Sequence, residues 1–294
     1  MSNSKLLTYI EALFAVVAWG ASFIATKISL QEISPITIVW LRFLMGVIIL
    51  GIAVYLRGQF ALPERREWGY FALLGFLGIT FHQWLQSNGL QTSEAGTTAW
   101  IVATTPVFMA LLGWILLKES LGWLKTGGIL LAFIGVLVVV SKGNFGSISI
   151  GKFGAPGDVL ILISAVNWAV FSALSRRGLR SHPASLMMFY VMTIGWLITS
   201  MLFLTTNGFG EIDNLTLKGW IAVSFLGVFC SGLAYIAWYD ALKVLTTAQT
   251  GVFLYIEPLV AVVVAFFLLG EAITSASLIG GAIILFGVWL VNRN

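Results

Sequence analysis

The stretch TAWIVATTPVFMALLGWILLKE, residues 98–119, has a counterpart in TGVFLYIEPLVAVVVAFFLLGE, residues 250–271, which lies 152 positions further along. Thr98, Pro106, Leu116 and Glu119 recur there as Thr250, Pro258, Leu268 and Glu271. Carried outward, the same shift places Trp68, Leu74, Gly75, Leu90, Gly128 and Gly135 on Trp220, Leu226, Gly227, Leu242, Gly280 and Gly287. Trp19 and Trp168 match at a slightly shorter shift, which implies a small insertion between the first and third helices of the second half. Chance supplies one or two such identities. One spacing held across Trp, Pro, Glu and Gly reads as an internal duplication.

Both stretches are almost wholly apolar, and so is most of the chain. Of 294 residues, 59% are hydrophobic and 10% charged, with a mean hydropathy of +0.97. A water-soluble fold of this length needs more charge to cover its surface, whereas a lipid solvent favours an apolar exterior. A helix needs roughly 20 apolar residues to cross about 30 Å of hydrocarbon. Segments 6–29, 35–56, 67–88, 95–117, 123–141, 157–177, 184–206, 218–241, 247–269 and 275–291 qualify. The expected fold is therefore all-α and integral to a membrane, with ten crossings in two five-helix repeats, 1–144 and 145–294. The first segment reads as a retained helix, because Glu11, Trp19 and Lys27 suit a signal peptide badly. The polar stretch from Lys142 to Gly157 is too short to fold alone, so no soluble catalytic domain is expected.

Orientation follows from the basic residues. With the N-terminus inside, Lys5, Arg57, Arg65, Arg66, Lys118, Lys125, Arg176, Arg177, Arg180, Lys243 and Arg293 are cytoplasmic, and Lys27, Lys142, Lys152 and Lys218 are outside. That split is 11 against 4, so both termini are expected in the cytoplasm. An odd number of crossings per repeat makes the second copy enter from the opposite side. Inverted repeats are the architecture of alternating access, with a site near the midplane where the halves meet. The formal charge of +4 does not point to nucleic acid, since its basic residues flank the membrane.

Polar groups at membrane depth are costly and are candidate site residues. A rise of about 1.5 Å per residue places Trp19, Trp168 and Glu257 near the midplane, His82, Gln83, Gln86 and Trp100 toward the outside, and Tyr235 and Tyr239 toward the inside. His82 and Gln86 share a helix face, suited to an outward vestibule or to a helix–helix bond; His82 as a proton carrier is a further reading. Gln249, Phe253 and Glu257 recur every four residues, and Pro258 frees a backbone carbonyl one turn earlier. Pro106 makes the matching break beside Thr105, so the two prolines are candidate hinges and the acid is specific to the second half. Glu257 is expected on the transport path, the alternative being a structural pair with Arg42 or a tyrosine. Trp19, Trp100 and Trp168 are too deep for interfacial anchors. They are read as an aromatic wall with Ser22, Thr104, Asn167 and Ser172 beside it, or as bundle packing. Tyr235 and Tyr239 add a second stripe. Arg42 has two readings, a receptor for a substrate carboxylate or a side chain snorkelling to the interface. Glu119 and Glu271 are placed symmetrically and read as caps for the helices that follow.

Several of these residues resemble a known family. Trp19-Gly20-Ala21-Ser22-Phe23 with Lys27, Arg42, Pro106-Val107-Phe108 leading to Lys118-Glu119, and Glu257-Pro258 followed by Gly270-Glu271 resemble the EamA-type drug/metabolite transporters in order along the chain. Within that family the aromatic interior is similar to bacterial aromatic amino acid exporters.

The resulting expectation is a multi-pass inner-membrane secondary transporter that exports aromatic or bulky apolar amino acids. Helices one, three, four, six, eight and nine would line its cavity, and five and ten would support it. Purines, sugars or drugs are the alternative cargo. With no nucleotide-binding motif, energy would come from the solute gradient or a coupled proton, and the sequence leaves both open, as it does monomer against homodimer. An intramembrane enzyme is disfavoured, because the chain has only His82 and His182, without a His-Glu-x-x-His or Gly-x-Ser-x-Gly arrangement. No cofactor, metal or catalytic residue is expected.

Overall fold

A computed structural model describes residues 3–118, 120, 122–144, 154–245 and 247–293, all of them helical or in turns and loops, with no strand among them. The helices are α1 (Asn3–Ser29), α2 (Pro35–Leu56), α3 (68–89), α4 (95–117), α5 (Trp123–Val140), α6 (Pro156–Ser181), α7 (Ala184–Phe203), α8 (Leu217–Val244), α9 (247–269) and α10 (Ser275–Asn292). Nine of these, all but α3, are long and apolar enough among the described residues to cross a membrane. The exception has a physical cause. The second part of α3 carries His82, Gln83, Gln86, Ser87 and Asn88, which lowers its hydropathy. His82, Gln83 and Ser87 are nonetheless buried inside the bundle.

Local chemistry sets the helix ends. Pro35 and Pro156 start α2 and α6, where the missing N–H costs nothing. Thr274 caps α10 by accepting from the Ser277 amide at 3.0 Å. Gly270 ends α9 in the left-handed region at φ 69°, and Lys118, 152 residues earlier, ends α4 in the same conformation at φ 54°. Matched backbone behaviour therefore accompanies the matched sequence.

Packing follows the same reciprocity. α1 packs on α9 and α8, while α6 packs on α4 and α3; α2 packs on α8, while α7 packs on α3. Each pairing maps onto its counterpart when the halves are exchanged. α5 and α10 form a close pair of their own. A Cβ on Gly128 would stand 2.6 Å from the Gly287 carbonyl oxygen, and one on Gly280 would stand 2.8 Å from that of Gly135. Small residues let these backbones touch, which is how helices associate without a hydrophobic driving force. Large apolar side chains such as Phe133 and Phe286 face outward. The end of the bundle bearing Tyr9, Phe253 and Asn292 carries the start of α1 and the end of α10, and the opposite end bears Lys27, Ser93, Glu211 and Glu271.

Candidate functional site

The middle of the bundle is organised by two wide helical turns. α3 opens into a π-helix at Phe76–Phe81 and α8 at Phe225–Leu233, and the two overlap when the halves are aligned. Such turns are rare and concentrate at functional sites. Each is gripped by the first helix of the other half. The Asn167 side chain of α6 donates to the Leu77 carbonyl at 2.7 Å, and the Trp19 indole of α1 donates to the Cys230 carbonyl at 3.1 Å. The Cys230 thiol returns a bond to the Ala18 carbonyl at 3.2 Å.

Aromatic rings gather around these grips. Trp19 meets Tyr235 edge-on at 5.6 Å and Trp238 at 5.4 Å, and Tyr235 lies 6.3 Å from Tyr239. Trp168 lies 4.7 Å from the His82 ring and 4.8 Å from Phe171. Trp19, Trp168 and Tyr239 are half-buried, and all pack on a single apolar cluster that includes Phe43, Phe171 and Tyr235. Ser22 is also half-buried, with its hydroxyl donating to the Trp19 carbonyl at 2.6 Å.

The polar groups here are unsaturated. The hydroxyls of Tyr235 and Tyr239 and the side chain of Gln86 bond to no described group, and none is sealed from solvent. Glu257 sits in the first turn of the second piece of α9, half-buried, and its carboxylate has neither a hydrogen bond nor an ion pair among the described residues. Its backbone carbonyl faces Gly20 of α1, where a Cβ would come within 2.6 Å. The alternative reading of Glu257, a pair with Arg42 or a tyrosine, is not what the side chains do.

Arg42 points inward and does not snorkel. It is 5% exposed, its Nε donates to the Ser231 hydroxyl at 3.1 Å, and its Nη1 donates to Oε1 of Gln83 at 2.9 Å. Among the described residues no carboxylate pairs with it. Sequence reasoning left this residue undecided and gave Gln83 no role. The clue was that Gln83 falls two residues beyond the π turn of α3, but nothing in the sequence announced that turn.

Other expected site residues are placed elsewhere. Trp100 is fully buried against α10, where its indole donates to the Ser277 hydroxyl at 3.0 Å. It is separated from the aromatic group around Trp19. Thr104 is buried and donates to the Ile101 carbonyl at 2.6 Å. His82 is 5% exposed, with Nδ1 3.2 Å from the Ser164 carbonyl. Phe253 stacks on Tyr9 at 6.1 Å, toward the terminal end. Pro106 and Pro258 begin the second pieces of α4 (Thr105–Leu117) and α9 (Ile256–Leu269), just past breaks at matched positions. Glu119 lies outside the described residues.

The end opposite the termini is bolted between halves by acids that cap helices. Glu271 accepts from the Ala95 and Gly96 amides that start α4, at 2.8 and 3.0 Å, and pairs with Lys27 at 3.4 Å. Glu211 accepts from the Ser34 amide at 2.9 Å and the Thr37 hydroxyl at 2.6 Å at the start of α2. Glu32 accepts from the Thr216 amide and hydroxyl before α8, at 2.8 and 2.7 Å. Asp158 takes a bond from Ser93 at 2.5 Å. A narrow crevice of about 20 Å³ lies there between Glu94, Lys142 and Glu271, and a wider one of about 350 Å³ between Ser34, Trp84, Leu202 and Glu211.

A multi-pass helical bundle that encloses polar groups without a described partner suits a membrane transporter that handles a small molecule. The chain belongs to the EamA-like transporter family, whose profile matches it twice, over residues 6–141 and 155–293. It is 30% identical over 99% of its length to an uncharacterized transporter of Archaeoglobus fulgidus, covering 98% of that protein. It is 28% identical to the uncharacterized transporter YyaM of Bacillus subtilis, covering 95% of this chain and 92% of that one. It is 27% identical to a probable terminal-alkyne amino-acid exporter of Streptantibioticus cattleyicolor, covering 95% of this chain and 91% of that one. A solved crystal structure matches with a TM-score of 0.65 at 20% identity over 97% of this chain and 96% of that one, which shows a shared fold.

Proposed function

We propose that this protein is a secondary transporter of the inner membrane that exports amino acids with aromatic or bulky apolar side chains by alternating access. The observation that carries the reading is Glu257. It is a carboxylate midway along α9 with no partner among the described residues, and its backbone carbonyl lies against Gly20, next to Trp19, whose ring meets Tyr235. An ammonium group satisfies such an acid, and an apolar ring satisfies such a wall. The name of the Streptantibioticus relative supports amino acids as the cargo class.

In this reading the ten helices all cross the bilayer, as inverted repeats 1–144 and 145–294 with both termini cytoplasmic. The reciprocal contacts between the halves support the inversion. Two antiparallel helices that touch as Gly128 to Gly287 and Gly280 to Gly135 are related by a two-fold axis perpendicular to both. The substrate would lie among Trp19, Ser22, Gln86, Trp168, Tyr235, Tyr239 and Glu257, with the breaks at Pro106 and Pro258 as hinges. His82, Asn167 and Thr104 would hold that wall in place. The capping acids and Lys27 would close the outer end while the inner end is open.

Flux from proteoliposomes tests the reading. Labelled phenylalanine or tryptophan should leave vesicles faster with the protein than without it, and purines, sugars and unrelated drugs should not compete. Competition by those compounds at equal strength rejects the cargo. Repeating the assay with imposed pH gradients separates proton coupling from movement down the solute gradient.

A further inference from the structure

Among the described residues Arg42 is a buried cation without an acid, and Glu257 is an acid without a cation. Of the five N–H donors of the Arg42 guanidinium, two are taken, by Ser231 and Gln83. The remaining three, one on Nη1 and both on Nη2, meet no described acceptor, and Nη2, which makes no bond, is not among the sealed, orphaned atoms. Nη2 is therefore open to a further acceptor. A charge taken out of water and left unpaired is costly, so proteins retain one in a membrane where something else completes it. The two bonds that exist hold one side of the guanidinium still, and Phe43 lies 5.0 Å beneath it. A planar donor pair fixed in this way matches a carboxylate.

The two charges share one neighbourhood. Arg42 bonds to Ser231, and the Trp19 indole bonds to the carbonyl of Cys230 just before it. Trp19 joins them, since its ring touches Tyr235, its indole donates to the Cys230 carbonyl, and its neighbour Gly20 lies against the Glu257 backbone.

We propose that Arg42 and Glu257 are the two poles of a zwitterion site, Arg42 taking the α-carboxylate and Glu257 the α-ammonium, while the apolar side chain lies against Trp19 and Tyr235. This inference rests on the amino-acid reading above and adds the residue that recognises the acid group. It also makes the site a joint property of both halves. The guanidinium comes from the first repeat but is anchored by Gln83 of the first and Ser231 of the second. Movement of one half against the other would change its hold on the carboxylate.

The test uses purified full-length protein and calorimetric titration with three probes: L-phenylalanine, phenethylamine, which lacks the carboxylate, and 3-phenylpropionate, which lacks the amine. Each one-charge analogue should bind wild-type protein about tenfold to a hundredfold more weakly than phenylalanine, the value of one charge-assisted bond. Arg42→Gln should lower phenylalanine binding to the phenethylamine level and leave phenethylamine unchanged. Glu257→Gln should do the mirror image with 3-phenylpropionate. If Arg42→Gln does not fold, Arg42→Lys, which keeps the charge and loses the fork, should weaken phenylalanine alone, and the wild-type analogue series needs no variant. Equal weakening of phenylalanine and phenethylamine in the Arg42 variants assigns Arg42 to packing and overturns the proposal. Phenylalanine binding that survives both substitutions overturns it while leaving the amino-acid reading intact. Wild-type protein that binds no phenylalanine overturns both.

Discussion

The indole nitrogen of Trp100 lies 3.0 Å from the Ser277 hydroxyl, fixing a fully buried ring of α4 against α10. Gly281 makes room for it, because a Cβ there would stand 2.4 Å from that ring. Trp168 of α6 is instead half-buried against His82 and Phe171. Two tryptophans that read alike in sequence thus have different neighbours.

Their alanine variants should separate accordingly. Trp100→Ala removes a sealed ring and should cost about 3–5 kcal/mol, seen as poor yield and a lowered melting temperature in detergent. Trp168→Ala should melt near wild type but lose affinity for phenylalanine more than for small amino acids. Equal losses for large and small solutes would assign Trp168 to packing.

Glu257→Gln should leave the fold intact, since the carboxylate has no bond to lose. Phenylalanine flux should fall about tenfold or more, consistent with one lost charge-assisted contact. Unchanged flux, measured at matched protein density in vesicles, would remove Glu257 from the path.

Gly128→Leu or Gly135→Leu should push α5 from α10, with an overpacking cost of about 1–3 kcal/mol. The counterpart variants Gly280→Leu and Gly287→Leu should cost similar amounts, because a Cβ on any of the four would stand 2.6–2.8 Å from the other helix's backbone. Thermal melts of the four proteins check this. One pair falling far more than the other would contradict the reciprocity.

Partial burial acts to raise the Glu211 carboxyl, but hydrogen bonds from Thr37 and Ser34 outweigh it and hold the group below its ordinary value of 4.5. Hydrogen bonds from Thr216 likewise hold Glu32 down. A carboxyl lowered in the folded state contributes stability that is present above its unfolded value and is lost as pH falls through its folded one. The melting temperature should therefore drop as pH is taken below about 4.5, the unfolded reference. Glu211→Gln should show a shallower drop, and an unchanged slope would remove this cap as an acid-sensitive element.

Replacing Glu271 by Ala removes the bonds to the Ala95 and Gly96 amides and the Lys27 pair, at a cost of about 0.5–2 kcal/mol, typical of a lost helix cap. Because that cap joins the two halves, the variant should also raise the accessibility of a cysteine introduced at Thr97 to a membrane-impermeant reagent. Accessibility equal to the parent would remove Glu271 as an outer latch.

Much of the plan was legible in the residues. Hydropathy alone marks nine helices, because lipid imposes a length and an apolar exterior on any segment that crosses it. The duplication was visible because Trp, Pro, Glu and Gly hold one spacing. The place of Glu271 before α10 read as a cap for that helix, but Thr274 caps α10 and Glu271 accepts from the amides that start α4 in the other half. Only the tertiary structure decided which polar groups meet. Gln83 and Ser231 lie 148 residues apart and come to one guanidinium because two helices open into π turns at matched depths, a backbone feature without a side-chain signature. Trp100 and Trp168 differ only in what packs on them, and packing belongs to the neighbouring helix. Periodicity and hydropathy are properties of one segment, so they establish that a side chain is inside. Which charge goes unpaired depends on all the segments together.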